Sequence, residues 1–223
     1  MRWLRSITAA ALASVGVAGT PLQEQDRSLR LSMPGWTEEK ASGDLRVWRD
    51  KDGDVLVLAV PQSHDPMLDC RSEAEIRRAA RLIAEERGGG LIEATAIAPP
   101  PRSVVSLVYK RLELPAYIYT GMLVISRGSS SLVWTIVAGE QGTTGVREAI
   151  ITAELMKAGE LTPETYGRLW ARDPYDPTYR GVNRSVLRFL SDDRRYDERF
   201  PQHPLSKVRR ILAGLPGAVT GVQ

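Results

Sequence analysis

The stretch AYIYTGMLVISRGSSSLVWTIVAGEQGTTGVREAIITAELMKA, residues 116–158, holds two long apolar runs, a polar tip, a glycine-punctuated turn and a helical segment. From Ala116 to Arg127 and again from Ser131 to Ala138, apolar residues fill both alternating sets. A strand with one wet face alternates apolar with polar residues, whereas a strand apolar on both sides needs cover on both. The pattern therefore predicts two central strands, with the rest of the chain supplying a layer on each face. Gly139 to Gly145 leads into a predicted helix through Lys157, whose Val146, Ile150, Ala153 and Met156 recur at helical spacing and are expected to face inward.

Upstream, Ser28 to Met33 reads as a short strand ending at Pro34-Gly35-Trp36. Leu45 to Arg49 and Val55 to Val60 flank Asp50-Lys51-Asp52-Gly53-Asp54, where Asp-Gly between apolar runs predicts a hairpin. The acidic tip does not match a calcium-binding EF-hand loop, because its glycine and the required glutamate do not fall at the right positions. Arg71 to Arg87 is the clearest helix: Ser72 and Glu75 form a capping box, Ile76, Ala79, Ala80 and Ile83 make an apolar stripe, and Gly88-Gly89-Gly90 ends it. Leu91 to Ala98 and Ser103 to Glu113 follow as strands, the latter opening a meander through the joint at Leu114-Pro115. The helices at 72–87 and 146–157 are the expected covers of the two faces.

Beyond Glu160 the texture changes. Thr162-Pro163 caps a short helix from Glu164 to Ala171, Asp173 to Pro177 is turn chemistry, and Pro204 to Leu215 reads as a final helix with Leu205, Val208, Ile211 and Leu212 on one side. The expected organisation is a leader and linker over 1–25, a sandwich domain over 26–159, and a C-terminal arm over 160–223 packed on the domain or on a partner. The fold class is α+β, an antiparallel sheet sandwiched by helices.

The chain of 223 residues is 43% hydrophobic and 26% charged, an ordinary globular balance. A net charge of +3 with interspersed signs gives no case for nucleic-acid binding. One cysteine, Cys70, excludes an internal disulfide. Arg2 and Arg5 precede the alanine-rich segment Ile7 to Ala18, and Val17-Ala18-Gly19 offers small residues at a cleavage point, so the start reads as a secretory signal peptide and predicts export. The alternative is an amino-terminal helix on a cytoplasmic protein. The segment is too short and too weakly apolar for a membrane span.

The element order from Leu29 to Lys157, with Pro34-Gly35-Trp36 after the first strand, resembles the PsbP-like fold, shared with the Ran-binding nuclear import factor. That resemblance implies an α/β/α sandwich and a bacterial binding or accessory protein of adaptor or chaperone type. It implies no metal, cofactor or catalytic residue.

The residues themselves offer several candidate sites. Tyr175, Tyr179, Tyr196 and Phe200, with Arg194 and Arg195, give the arm the composition of a protein interface. Gly142, Thr143, Thr144 and Gly145, between a strand and a helix, could present free amides to an anion. Alternatively, the glycines there serve only the chain reversal. His64 and His203 sit in proline-flanked loops and read as solvated side chains without metal partners at ligand spacing. The expectation is a non-enzymatic protein docking a protein partner through a sheet edge or the arm, without catalytic residues, metal or cofactor. Two alternatives remain: a small hydrolase or transferase using Cys70 with His64, and an envelope small-ligand binder.

Overall fold

The computed structural model describes residues 30–42, 45–60, 67, 70, 72–98, 104–127, 130–179 and 184–220. The leader, His64 and most of the loop before Cys70 lie outside them. Seven antiparallel strands form one sheet in the order β2-β3-β4-β8-β7-β6-β5. In chain order these are β2 (Trp36–Ser42), β3 (Leu45–Asp50), β4 (Val55–Ala59), β5 (Gly90–Ala98), β6 (Val104–Glu113), β7 (Ala116–Arg127) and β8 (Ser130–Gly139). A preceding short strand, β1 (Arg30–Leu31), pairs with the last, β11 (Val219–Thr220). The long apolar runs are the middle of the sheet: β7 and β8 pair through Leu123 with Trp134 and Thr120 with Val137, and β4 adds to the other side of β8.

Each face has its own cover. On one, helix α1 (Glu73–Glu86) lays Ile76, Ala80 and Ala84 over Leu91, Leu107, Tyr109, Met122 and Val124. Its start is closed reciprocally, Ser72 Oγ accepting from Glu75 N at 3.2 Å and Glu75 Oε2 accepting from Ser72 N at 3.2 Å. The three glycines behind it do different things. Gly88 takes a φ of +69°, while a Cβ on Gly90 would stand 2.2 Å from the Val186 carbonyl oxygen, so Gly90 is there for close approach.

The opposite face is covered by the final helix, α4 (Pro204–Ala218), and not by helix α2 (Val146–Lys157) as the sequence had suggested. Leu205, Val208, Ile211, Leu212 and Leu215 pack on Leu56, Leu58, Tyr119, Leu123, Trp134 and Ile136. Burying five such side chains, at about 1.5–3 kcal/mol each, makes this helix a principal part of the core. It sits down on the bare backbone of Gly121, where a Cβ would come within 2.6 Å of Leu212 Cδ1 and Val208 Cγ1. The chain beyond Glu160, expected as an appended arm, thus delivers the second layer of the sandwich.

Helix α2 packs elsewhere and is rotated from the expected setting. Its buried residues are Arg147, Ile151 and Leu155, one turn apart. Ile151 and Leu155 join Leu161, Trp170 and Phe189 in a small separate core built with helix α3 (Pro163–Leu169) and the pair of short strands β9 (Ala171–Arg172) and β10 (Arg188–Phe189). Val146, Ile150 and Met156, read as the inward stripe, are 43%, 38% and 40% exposed. Both faces of this helix carry apolar residues, and on the buried one the Arg147 guanidinium finds its partners. Strand β2 had no sequence signal because WTEEKAS is polar, as suits an edge strand. No helix among the described residues is long and apolar enough to cross a membrane.

Candidate functional site

Where α2, α4 and the end of β8 meet, the structure gathers charged groups that the sequence scatters over a hundred residues. Arg147 is at its centre. Its Nε donates to the Ser191 carbonyl at 2.8 Å, Nη1 to Ser206 Oγ at 2.9 Å, and Nη2 to the Asp193 carbonyl and Asp197 Oδ1, both at 3.0 Å. Arg209 clamps Asp197 and Glu93 and also donates to the Asp192 carbonyl at 2.8 Å. Lys110, on β6, meets Asp192 beneath them. Burial pulls Lys110 below the usual lysine range even though Asp192 opposes the shift.

Beside this network a cleft of about 510 Å³ is lined by Glu140, Thr143, Val146, Arg147, Phe200 and His203, among others. His203, expected as a solvated loop side chain, is only 8% exposed. Burial, reinforced by Arg147, Lys110 and Arg209, pushes it down to about 3, so the ring is neutral. It begins α4: the His203 carbonyl accepts from Lys207 N, and Nδ1 accepts from Leu205 N at 3.3 Å. Accepting at Nδ1 leaves the single ring proton on Nε2. That Nε2–H points toward Glu140 Oε1 at 3.9 Å and Glu148 Oε1 at 3.8 Å, beyond hydrogen-bond length.

Glu140, Glu148 and His203 lie close enough to suggest a metal site. The tautomer argues otherwise, since a metal needs the Nε2 lone pair and would break the α4 cap to obtain it. Chemically the trio is one donor facing two acceptors. Glu148 is raised by burial and by the neighbouring Asp192 and Glu140 charges, which favours its neutral form. The second acidic group, Asp50, Asp52 and Asp54 at the hairpin tip, already holds a cation: Lys207 Nζ stands 2.7 Å from Asp52 Oδ2 and 2.9 Å from Asp54 Oδ2.

The glycine loop expected to offer amides to an anion reaches this cleft through Thr143. Its Gly145 N–H donates to Glu140 Oε1 at 2.7 Å, so a carboxylate of the chain itself sits at the start of α2. Gly142 and Gly145 have φ of +71° and +74°, and Thr144 Oγ1 reaches the Pro115 carbonyl at 3.4 Å.

The aromatic residues of the arm are tied to their own domain. Tyr175 Oη accepts from Ala94 N at 2.8 Å and donates to its carbonyl at 3.1 Å, with Arg77 over the ring. Tyr179 hydrogen-bonds Glu85 and lies under Arg81. Tyr196 and Phe200 pack against the small core under α2. Arg194 is held by Glu93 at 2.8 Å, and Arg195 stacks on Tyr196. Cys70 packs half-buried beside the α1 core, and His64 is outside the described residues. Sequence reasoning missed Arg147, Glu148 and His203 as a group, because nothing in their spacing brings them together.

What the same corner leaves open is the outward face of α2. Val146, Ile150 and Met156 are exposed there, with Ala149 and Ala153 between them. They form an apolar stripe three turns long whose first residue, Val146, lines the cleft.

No protein-family model and no characterised protein sequence matches the chain. Among solved structures, the Ran-binding protein Mog1p of Saccharomyces cerevisiae matches at a TM-score of 0.40 and 10% identity, over 66% of this chain and 86% of that one. A Pseudomonas aeruginosa protein of unknown function described as a putative regulator matches at 0.30 and 19%, over 64% and 85%. LpqN of Mycobacterium tuberculosis, involved in cell envelope biogenesis, matches at 0.29 and 15%, over 67% and 84%. These are similarities to solved structures at low identity, and nothing about the role of this chain is taken from them.

Proposed function

We propose that the protein is a non-enzymatic binding or accessory protein that docks a protein partner on the outward face of α2. The observation that carries this reading is the exposed stripe of Val146, Ile150 and Met156 on a helix whose other face is already buried. Apolar residues at helical spacing beside small alanines suit an opposing helix or strand, which is a common way for proteins to recognise one another. The arm and its aromatics serve this docking indirectly, by fixing α2 in place. Export belongs to the same reading and rests on the leader-like residues 1–19.

The test is quantitative affinity purification from the native host with the wild type and Ile150→Asp. A partner enriched by the wild type and lost with the variant, at an unchanged thermal midpoint, is the expected result. Equal partner recovery with both forms would remove the stripe from the proposal. Mass spectrometry of the mature amino terminus reads the export step, with cleavage near Gly19 expected.

A further inference from the structure

Many of the described arginines are paired with a carboxylate. Arg46 is held by Glu38, Arg81 by Asp173, Arg194 by Glu93 and Arg199 by Glu154. Three other arginines share a cleft instead. On the far side of α3, a cleft of about 300 Å³ is lined by Arg168, Arg172 and Arg184 together with Gly167, Tyr179 and Leu187, and no carboxylate lines it among the described residues. Arg168 comes from the last turn of α3, Arg172 from β9, and Arg184 from the turn before β10. Arg184 is fixed by donating from Nη2 to the Gly167 carbonyl, which sets one guanidinium at the cleft wall.

We propose that this cleft binds a phosphoryl group. Three guanidinium-bearing residues lining one cleft with no carboxylate in its described lining repel one another, and a multiply charged oxyanion relieves that repulsion. Guanidinium suits the purpose because its planar fork gives paired hydrogen bonds to two phosphate oxygens. The concave setting and the one anchored arginine reduce the ordering cost of binding. The site is separate from the α2 stripe and does not depend on partner docking.

The experiment titrates full-length protein with inorganic phosphate and with pyrophosphate, followed by calorimetry and by backbone amide shifts at Gly167 and Leu187. The variants are Arg168→Gln, Arg172→Gln and, as a control on α1, Arg78→Gln. A parallel arm measures sedimentation with phosphatidylglycerol vesicles against neutral phosphatidylcholine vesicles. The expected result is pyrophosphate binding that weakens about tenfold with either cleft variant and is unchanged by the control. Vesicle binding with the same dependence on Arg172 would also support the site and identify a lipid headgroup as the source. Failure of both phosphate probes and anionic vesicles to bind would overturn the proposal. So would equal weakening by Arg78→Gln, which would mark diffuse surface charge. Because Arg168 and Arg172 are exposed, their replacement leaves the fold intact, and a thermal melt of each variant verifies this.

Discussion

Lys110 Nζ stands 2.6 Å from Asp192 Oδ2, and neither side chain is open to solvent. The pair joins β6, the strand beside the edge strand β5, to a segment 82 residues away. The Lys110 ammonium also lies 3.1 Å from the centre of the Phe189 ring, and Asp192 Oδ2 accepts from Phe189 N at 2.7 Å. Breaking a buried pair by removing one partner strands the other charge and costs about 3–5 kcal/mol. Lys110→Met is therefore expected to lose that much stability in urea unfolding. Adding Asp192→Asn, which keeps an acceptor for Phe189 N, is expected to recover a large part of it.

Neighbouring isoleucines on α2 should behave oppositely. Ile151 is buried in the small core with Leu155 and Trp170, so Ile151→Ala should cost about 2–5 kcal/mol. Ile150 faces solvent, and Ile150→Ala should change stability by no more than about 0.5 kcal/mol. Denaturant melts of the two variants check the rotation of the helix directly. The reverse ranking would restore the inward stripe read from the sequence.

A pH dependence follows from the hairpin tip. Burial pushes Asp54 up to about 6 from 3.8, despite the hydrogen bond from Lys207. Between those values the folded chain holds a proton that the unfolded chain has released, so stability falls as pH rises from about 4 to about 6 and then levels off. The size of the effect is about 3 kcal/mol. Asp52 works in the other direction: Lys207 holds it below its usual range, and its contribution is lost only as pH falls further below 3.8. Asp54→Asn should flatten the fall between pH 4 and 6 in thermal melts, with Asp52 still engaging Lys207.

Gly121 is where α4 meets the sheet most closely. Gly121→Ala would place a methyl 2.6 Å from Leu212 Cδ1 and Val208 Cγ1, and overpacking of this kind costs about 1–3 kcal/mol. A companion Val208→Ala should return part of the loss, a non-additive result that double-variant melts would detect.

Much of this fold is legible in the sequence. Unbroken apolar runs announced β7 and β8, the capping box announced α1, and Asp-Gly announced the β3–β4 hairpin, because each signal is local. The cover of the second face was not legible in the same way. The sequence offers two apolar helices, at 146–157 and at 204–218, and local periodicity does not say which one a sheet will take. Gly121, opposite Val208 and Leu212, is the residue that fits α4 there, and its role appears only when β7 and α4 are juxtaposed. The polar corner was illegible for a related reason. Arg147 sits within an apolar pattern, and its four partners come from 191–206, so its burial is a tertiary fact. His203 reads as a loop residue until one sees that Leu205 N engages Nδ1 and that the ring covers Tyr119 edge-on at 5.2 Å.

The most direct test of the account is site-specific photo-crosslinking in the native host, with a photoreactive residue at Ile150 on the exposed face of α2 and, as a control, at Arg78 on α1. A discrete protein adduct from position 150, absent from position 78 and lost when Ala153→Arg is added, is the predicted result. Adducts of equal yield from both positions, or none from position 150, would contradict the claim that this face is where a partner docks.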